Sequence, residues 1–428
     1  MSKTFTKTKS FLSTLSICIF LSVFLTTEIR AEEKKEEPKF KLEFHGFVNY
    51  EMSYDTRQVV AGREGNIMLF PAQEILDDDG NDINDNPSLT YYALTSRLWT
   101  SIHGPDILGA KSYAHVEGDF MGTAPDKYNH IRLRHAFIRL DWEKAQIIAG
   151  QYWHPMFVTS CFPGVITFGA SVPYHVLSRA PQLRFTYTHD NISLSGTMMT
   201  HSDFPTTGPN GPGSEYLRNS NIPEVFFQTI YTGEVLTTGA SIGYMLLQPR
   251  LETTAYTTND TLTFRTNETM GSLMGNLFFK LDFPTISIKA QGIYGENMRH
   301  LVMLGGYGET DFIDDNRQIR GYTGIHTMSL WTDIETKGEK LRFGLFGGYS
   351  ENLGSEKEIT GEHWGRGTNI AHIYRVAPRV RLIYDNLSFN FEIIYDVAAY
   401  GTPDADFSFD QTNEVSNIRT MVSMKYDF

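Results

Sequence analysis

Hydrophobic and polar residues alternate with a period of two at both ends of the chain's long carboxyl-terminal stretch. Near the start, Phe40, Leu42, Phe44, Val48, Tyr50, Met52 and Tyr54 interleave with Lys41, Glu43, His45, Asn49, Glu51 and Ser53. At the end, Ile418, Thr420, Val422, Met424, Tyr426 and Phe428 interleave with Arg419, Met421, Ser423, Lys425 and Asp427. Such a period places successive side chains on opposite faces of a β-strand. Similar segments recur between these two, and together they predict sixteen strands. The strand near Ile131 to Trp142 changes phase: Ile131 and Leu133 are odd, whereas Ala136, Ile138 and Leu140 are even. A β-bulge near Arg134 reconciles the two halves. Arg132 and Arg134 then face the interior, or else lie at a subunit contact.

The connections alternate in length. Short turns, such as 143–145, 189–191 and 385–386, alternate with long loops at 55–90, 122–130, 152–181, 201–223, 248–271, 296–323, 350–373 and 398–417. This pattern predicts an all-β fold, a transmembrane antiparallel β-barrel of 16 strands with short periplasmic turns and long extracellular loops. In such a barrel the apolar face meets lipid, the polar face meets a water-filled lumen, and a sixteen-stranded wall is wide enough for a channel. A terminal aromatic residue on the last strand resembles the signal that outer-membrane barrels present to the barrel assembly machinery.

Composition narrows the class. Aromatics make up 13% of the chain, with 22 Tyr and 29 Phe. No apolar run of about 20 residues follows the amino-terminal segment, so helical membrane spans are not expected. Residues 1–31 read as a signal peptide: Lys3, Lys7 and Lys9 precede a short apolar core, and Ala31 ends a plausible cleavage site. Residues 32–39 form a short charged periplasmic tail, and 40–428 form the outer-membrane barrel. A formal charge of −13 argues against nucleic acid as a partner. Cys161 is the one cysteine beyond the signal segment, so no intrachain disulfide is expected.

Ordered motifs point to a family. Tyr54-Asp55-Thr56-Arg57-Gln58, Phe70-Pro71 and Gly80-Asn81-Asp82-Ile83-Asn84 are followed by Ser96-Arg97-Leu98 and Glu117-Gly118-Asp119-Phe120. Next come Arg132-Leu133-Arg134-His135-Ala136-Phe137, Gly150-Gln151-Tyr152-Trp153-His154-Pro155 and Ser178-Arg179-Ala180-Pro181-Gln182. Their order and spacing over about residues 40–190 resemble the DcaP-like outer-membrane porins, in a form common in Bacteroidetes. The resemblance implies a homotrimeric, sixteen-stranded channel for small anionic solutes such as dicarboxylates, surrounded by outer-membrane lipid and lipopolysaccharide. The family's founding members carry an amino-terminal coiled-coil-like segment. Here only the charged tail precedes the first strand, so a trimer is not expected to form through such a segment.

Strand parity predicts the lumen. Arg97, Arg184, Lys289, Arg342, Arg375, Arg379, Arg381, Arg419 and Lys425 fall on inward positions, as do Glu43, Glu51, Glu117, Asp119, Asp141, Glu392 and Asp396. Even spacing makes Arg375, Arg379 and Arg381 a row suited to a passing carboxylate or phosphate. The alternative is that inward charges hydrate the wall and pair with one another. Loop 152–181 is the candidate constriction. Trp153, His154 and Phe157 make it too apolar for open water, so it enters the lumen or latches onto a neighbouring subunit. His154 and Cys161 have no third partner at a spacing useful for a metal or a nucleophile. Asp77, Asp79, Asn81, Asp82 and Asp85 surround Gly80 and suit calcium as a bound cofactor, or form a solvated acidic loop.

No catalytic residues are expected, because the chain lacks a Gly-x-Ser-x-Gly elbow and a His-Glu-x-x-His motif. The expected function is passive diffusion of small hydrophilic, anionic solutes. The alternative is a loop-bearing binding or adhesion protein with a closed or narrow barrel.

Overall fold

In a computed structural model of the chain, residues 40–428 are described, apart from 125–126, 202, 257 and 259. The signal peptide and charged tail expected at 1–31 and 32–39 lie outside the described residues. Sixteen antiparallel strands close into a barrel. They are β1 (Lys41–Asp55), β2 in two pieces (Ser88–Tyr92 and Arg97–His103), β3 (Lys111–Asp119), β4 (Arg132–Asp141), β5 (Ala145–Trp153), β6 (Arg179–His189), β7 (Ile192–Met199) and β8 (Glu224–Thr232). The second half comprises β9 (Leu236–Leu247), β10 (Met270–Asp282), β11 (Ile286–Glu296), β12 (Ile319–Thr336), β13 (Leu341–Ser355), β14 (Ile370–Tyr384), β15 (Leu387–Gly401) and β16 (Thr412–Asp427). Each strand pairs with its sequence neighbour, and β1 pairs with β16 from Phe47↔Asp427 to Asp55↔Arg419, so the sheet has no free edge.

The outer face is apolar. Phe44, Val48, Ile138, Phe227, Ile242, Leu277 and Val376 are exposed on it. Tyr187, Tyr231, Phe343, Tyr384, Phe389 and Tyr426 stand near the turn-side ends of their strands, where a lower aromatic girdle belongs. Among the described residues, no helix is long and apolar enough to cross a membrane. Crossing is left to the strands, whose backbone groups are satisfied by their neighbours around the ring.

Two departures from regularity, in β4 and β2, bear on the lumen. In β4, Glu117 pairs with His135 and Gly118 with Leu133, so Arg134 is the extra residue of a bulge. Leu133 remains outward at 51% exposure, while Arg132 and Arg134 are both turned inward and buried. Of the two placements open to these arginines in the sequence, the structure takes the interior. The second strand, β2, is interrupted at 93–96. There the Asn49 amide nitrogen donates to Ser96 Oγ (3.1 Å), and Asn49 Nδ2 donates to Thr95 Oγ1 (2.9 Å).

Candidate functional site: the loop-crossed lumen

Loop 152–181 leaves the top of β5, crosses the interior and returns to β6. Trp153 and Phe157 stack at its entry, with ring centroids 3.8 Å apart and 8° between planes. The far wall then holds it by both backbone and side chain. Pro155 carbonyl accepts from Gln228 Nε2 (2.7 Å), and Met156 carbonyl accepts from Gln291 Nε2 (3.1 Å) and Asn276 Nδ2 (3.3 Å). Phe162 carbonyl accepts from Lys289 Nζ (3.0 Å). The Cys161 thiol lies 3.3 Å from Phe279 carbonyl, and burial pushes it up to about 11. It is a packed thiol rather than a nucleophile.

The arginine row expected to face a passing anion instead grips this loop. Arg375 Nη2 lies 2.7 Å from Asp396 Oδ2 and 3.0 Å from Leu69 carbonyl, while its Nη1 reaches Val172 carbonyl at 3.0 Å. Arg379 is bound to Asp333 and Glu335, each at 2.6 Å. Arg381 donates to Gly164 carbonyl. Glu392 accepts the amides of Ile166 (3.2 Å) and Thr167 (2.9 Å), Gly164 N–H donates to Asp333 (2.9 Å), and Tyr174 OH donates to Asp396 (2.7 Å). Arg375 and Arg379 are 1% and 2% exposed. Charges neutralised and sealed in this way do not present a free row to the channel. Parity gave the correct face, but it could not show that a loop 200 residues away in sequence would occupy it.

Other expected lumen residues divide in the same manner. Arg419 makes a bidentate pair with Asp55 (2.9 and 2.8 Å) and donates to Gly65 carbonyl, tying the first loop inward. Arg184 donates to Trp153 carbonyl (2.7 Å), and Arg342 donates to Gly338 carbonyl (2.9 Å). His154 enters a buried cluster on the loop side of the barrel. The acidic loop is organised by its own amides. Asp77 Oδ1 accepts from the amides of Asp79 and Asn81, which hold its carboxyl below the usual range, and Asp82 accepts from Ile75 and Asn84 and pairs with Arg57 at 2.6 Å. Asp77 and Asp82 thus give carboxylate oxygens to backbone donors and to Arg57, which braces the segment that also carries Asp79, Asn81 and Asp85.

A second charged wall forms where β2, β3, β4 and β6 meet. Arg97 Nε lies 3.4 Å from Glu117, and Arg134 bridges Glu117 and Asp119. Arg132 holds Asp119 bidentately (2.7 and 3.0 Å), and Asp203 lies between Arg132 (3.7 Å) and Arg179 (2.5 Å). Burial and the Arg132 charge both push Arg63 down. Arg97, Arg132, Arg134 and Arg179 thus share three carboxylates, Glu117, Asp119 and Asp203, and Arg63 stands within electrostatic reach of Asp119 and Asp203. Arg63 Nε and Arg179 Nε and Nη1 are buried without a hydrogen-bond partner. Arg63, Arg179 and Asp203 were not legible as wall residues, because two come from loops and the third opens a strand. Of the wall, Arg97, Glu117 and Asp119 were legible by parity.

Space remains on both sides of the loop. A cavity of about 370 Å³ on the turn side is lined by Asp141, Gln146, Arg184 and Gln228 beneath Phe157. One of about 1590 Å³ on the loop side is lined by Arg250, Glu309, Arg320 and Trp364.

No family model and no curated protein matches the sequence. Solved structures match in fold. The outer-membrane channel DcaP of Acinetobacter baumannii is similar with a TM-score of 0.65 at 15% identity, over 91% of this chain and 97% of that one. An anion-selective porin from Comamonas acidovorans is similar with a TM-score of 0.54 at 10% identity, over 91% and 100%. OmpT of Vibrio cholerae in its trimer form is similar with a TM-score of 0.53 at 12% identity, over 91% and 99%.

Proposed function

We propose that the protein is a bacterial outer-membrane channel through which small hydrophilic solutes, preferentially anions, diffuse without an energy source. The observation that carries this reading is the wall on which four arginines share three carboxylates, with a fifth, Arg63, close by. Low-dielectric walls let uncompensated charge project into a lumen, so anions are concentrated there and cations are repelled. The anion-selective porin among the similar folds supports the same direction. In this reading the loop sets the size limit, and three copies assemble, as in the trimeric neighbour. Lipid and lipopolysaccharide surround the barrel, and Phe428 is presented to the assembly machinery.

The first test is conductance of the purified, refolded chain in a planar bilayer under a salt gradient. Current steps with an anion-shifted reversal potential are expected, and a cation-shifted potential overturns the anion preference. A second reading, a loop-bearing binding protein with a closed barrel, is favoured by one feature. Met156, Val176, Leu301, Met303, Leu304 and Tyr307 pack a continuous apolar core across the loop-side interior. Folded protein that gives no steps would establish that reading instead.

A further inference from the structure

His154 has no useful neighbour along the sequence, yet folding gives it three. Glu224, the first residue of β8, projects into the loop-side interior. Its Oε1 lies 3.4 Å from His154 Nε2 and 3.1 Å from His300 Nε2, and its Oε2 lies 3.0 Å from His201 Nε2. His154, Glu224 and His300 bring donor atoms within 4.8 Å of one another, the one such grouping of histidine, cysteine and carboxylate among the described residues. All three are at most 1% exposed. The His201 ring stacks on that of His300, with centroids 4.5 Å apart and 15° between planes, which fixes its orientation.

An ordinary N–H···O bond is about 2.9 Å long. Bonds of about 2.1 Å from a tetrahedral ion to nitrogen and oxygen place neighbouring ligand atoms about 3.4 Å apart. The His154 to Glu224 separation of 3.4 Å is long for the first arrangement and fits the second, and the His300 to Glu224 separation of 3.1 Å, a hydrogen-bond length, widens by about 0.3 Å to take the ion. Two imidazoles and one carboxylate suit a borderline divalent ion better than calcium or magnesium.

We propose that His154, Glu224 and His300 bind a divalent transition-metal ion of the zinc class, with His201 holding the outer oxygen of Glu224. The carboxylate–histidine contact outside the ligand set is the kind that orients a metal ligand. Binding moves the His154 proton from Nε2 to Nδ1, and the His300 proton likewise, so neutral imidazoles release no net proton. With Nδ1 protonated, the hydrogen bond that the Met156 amide donates to it (3.2 Å) is given up. His154 opens the constriction loop, Glu224 begins β8, and His300 sits in the short helical turn Met298–Leu301. That turn already receives the loop, because Leu177 N–H donates to Leu301 carbonyl (3.0 Å). The ion therefore fastens the entry of the constriction loop to two other elements of the barrel.

The test uses the full chain, refolded in detergent, stripped with a chelator and equilibrated with cobalt(II) or zinc(II). Wild type is expected to retain one equivalent through gel filtration and to show the visible bands of tetrahedral cobalt. His300→Gln is expected to bind at least tenfold more weakly, while His189→Gln, at an exposed turn, binds as wild type does. Wild type that retains no more metal than His300→Gln overturns the proposal, and so does wild type without cobalt bands. The wild-type spectrum decides the matter even if the variant fails to fold.

Discussion

Arg375 and Asp396 face each other across β14 and β15, with Nη2 and Oδ2 2.7 Å apart, and both are sealed beneath the loop that crosses the barrel. The pair is a fastening for the loop. Tyr174 bonds the same carboxylate, and the Val172 and Leu69 carbonyls and the Ser171 hydroxyl accept from the arginine's Nη1 and Nη2.

Asp396→Ala should release the loop. Removing one partner of a buried pair costs roughly 3–5 kcal/mol, because the other charge is left uncompensated. Single-channel recording is expected to show larger and noisier steps than wild type, with selectivity little changed. Unaltered conductance would mean that the remaining contacts hold the loop alone.

Selectivity should respond to the other wall. Arg63→Gln combined with Arg179→Gln removes two of the five arginines gathered around Glu117, Asp119 and Asp203. The anion-to-cation permeability ratio is expected to fall roughly two- to threefold in 0.1 M salt, where charge reaches about 10 Å, and less in 1 M salt, where it reaches about 3 Å. Reversal potentials in the two salts check this.

Barrel closure depends on a glycine. Gly46 and Phe428 exchange two backbone hydrogen bonds of 2.9 Å, and a Cβ on Gly46 would stand 2.7 Å from the Phe428 ring and 2.7 Å from Arg97 carbonyl. Gly46→Val should therefore cost about 1–3 kcal/mol by overpacking. A smaller folded fraction, read from heat-dependent mobility on a gel, is expected, whereas Gly347→Ala, where a Cβ meets nothing, should leave it unchanged.

Acid should loosen the loop through His175. Its ring is wholly buried between Phe157 (5.0 Å) and Trp331 (5.3 Å), and burial lowers it from 6.5 to about 3 with only a Val176 backbone contact opposing. An undocked loop takes up a proton that the docked loop refuses. Docking is therefore unaffected above about pH 6.5 and weakens as pH falls toward 3, by about 3 kcal/mol at pH 4. His175→Phe should flatten the dependence of channel noise on pH between 7 and 4.

Strand number, closure, the lipid-facing side chains and the bulge at Arg134 were all determined by the sequence itself, because each is a local matter of period and phase. A strand with one apolar face can point it only at lipid, and a phase break must be absorbed where it occurs. Partnership was decided by tertiary structure alone. Arg375, Arg379 and Arg381 lie on the inward face that parity assigned, but their neighbours Asp333, Val172 and Gly164 reach them only when distant segments meet in the lumen. His154 likewise acquires Glu224 and His300 from across the barrel. Alternation along a strand says which way a side chain points, and the charge it meets there depends on which other part of the chain fills the same space.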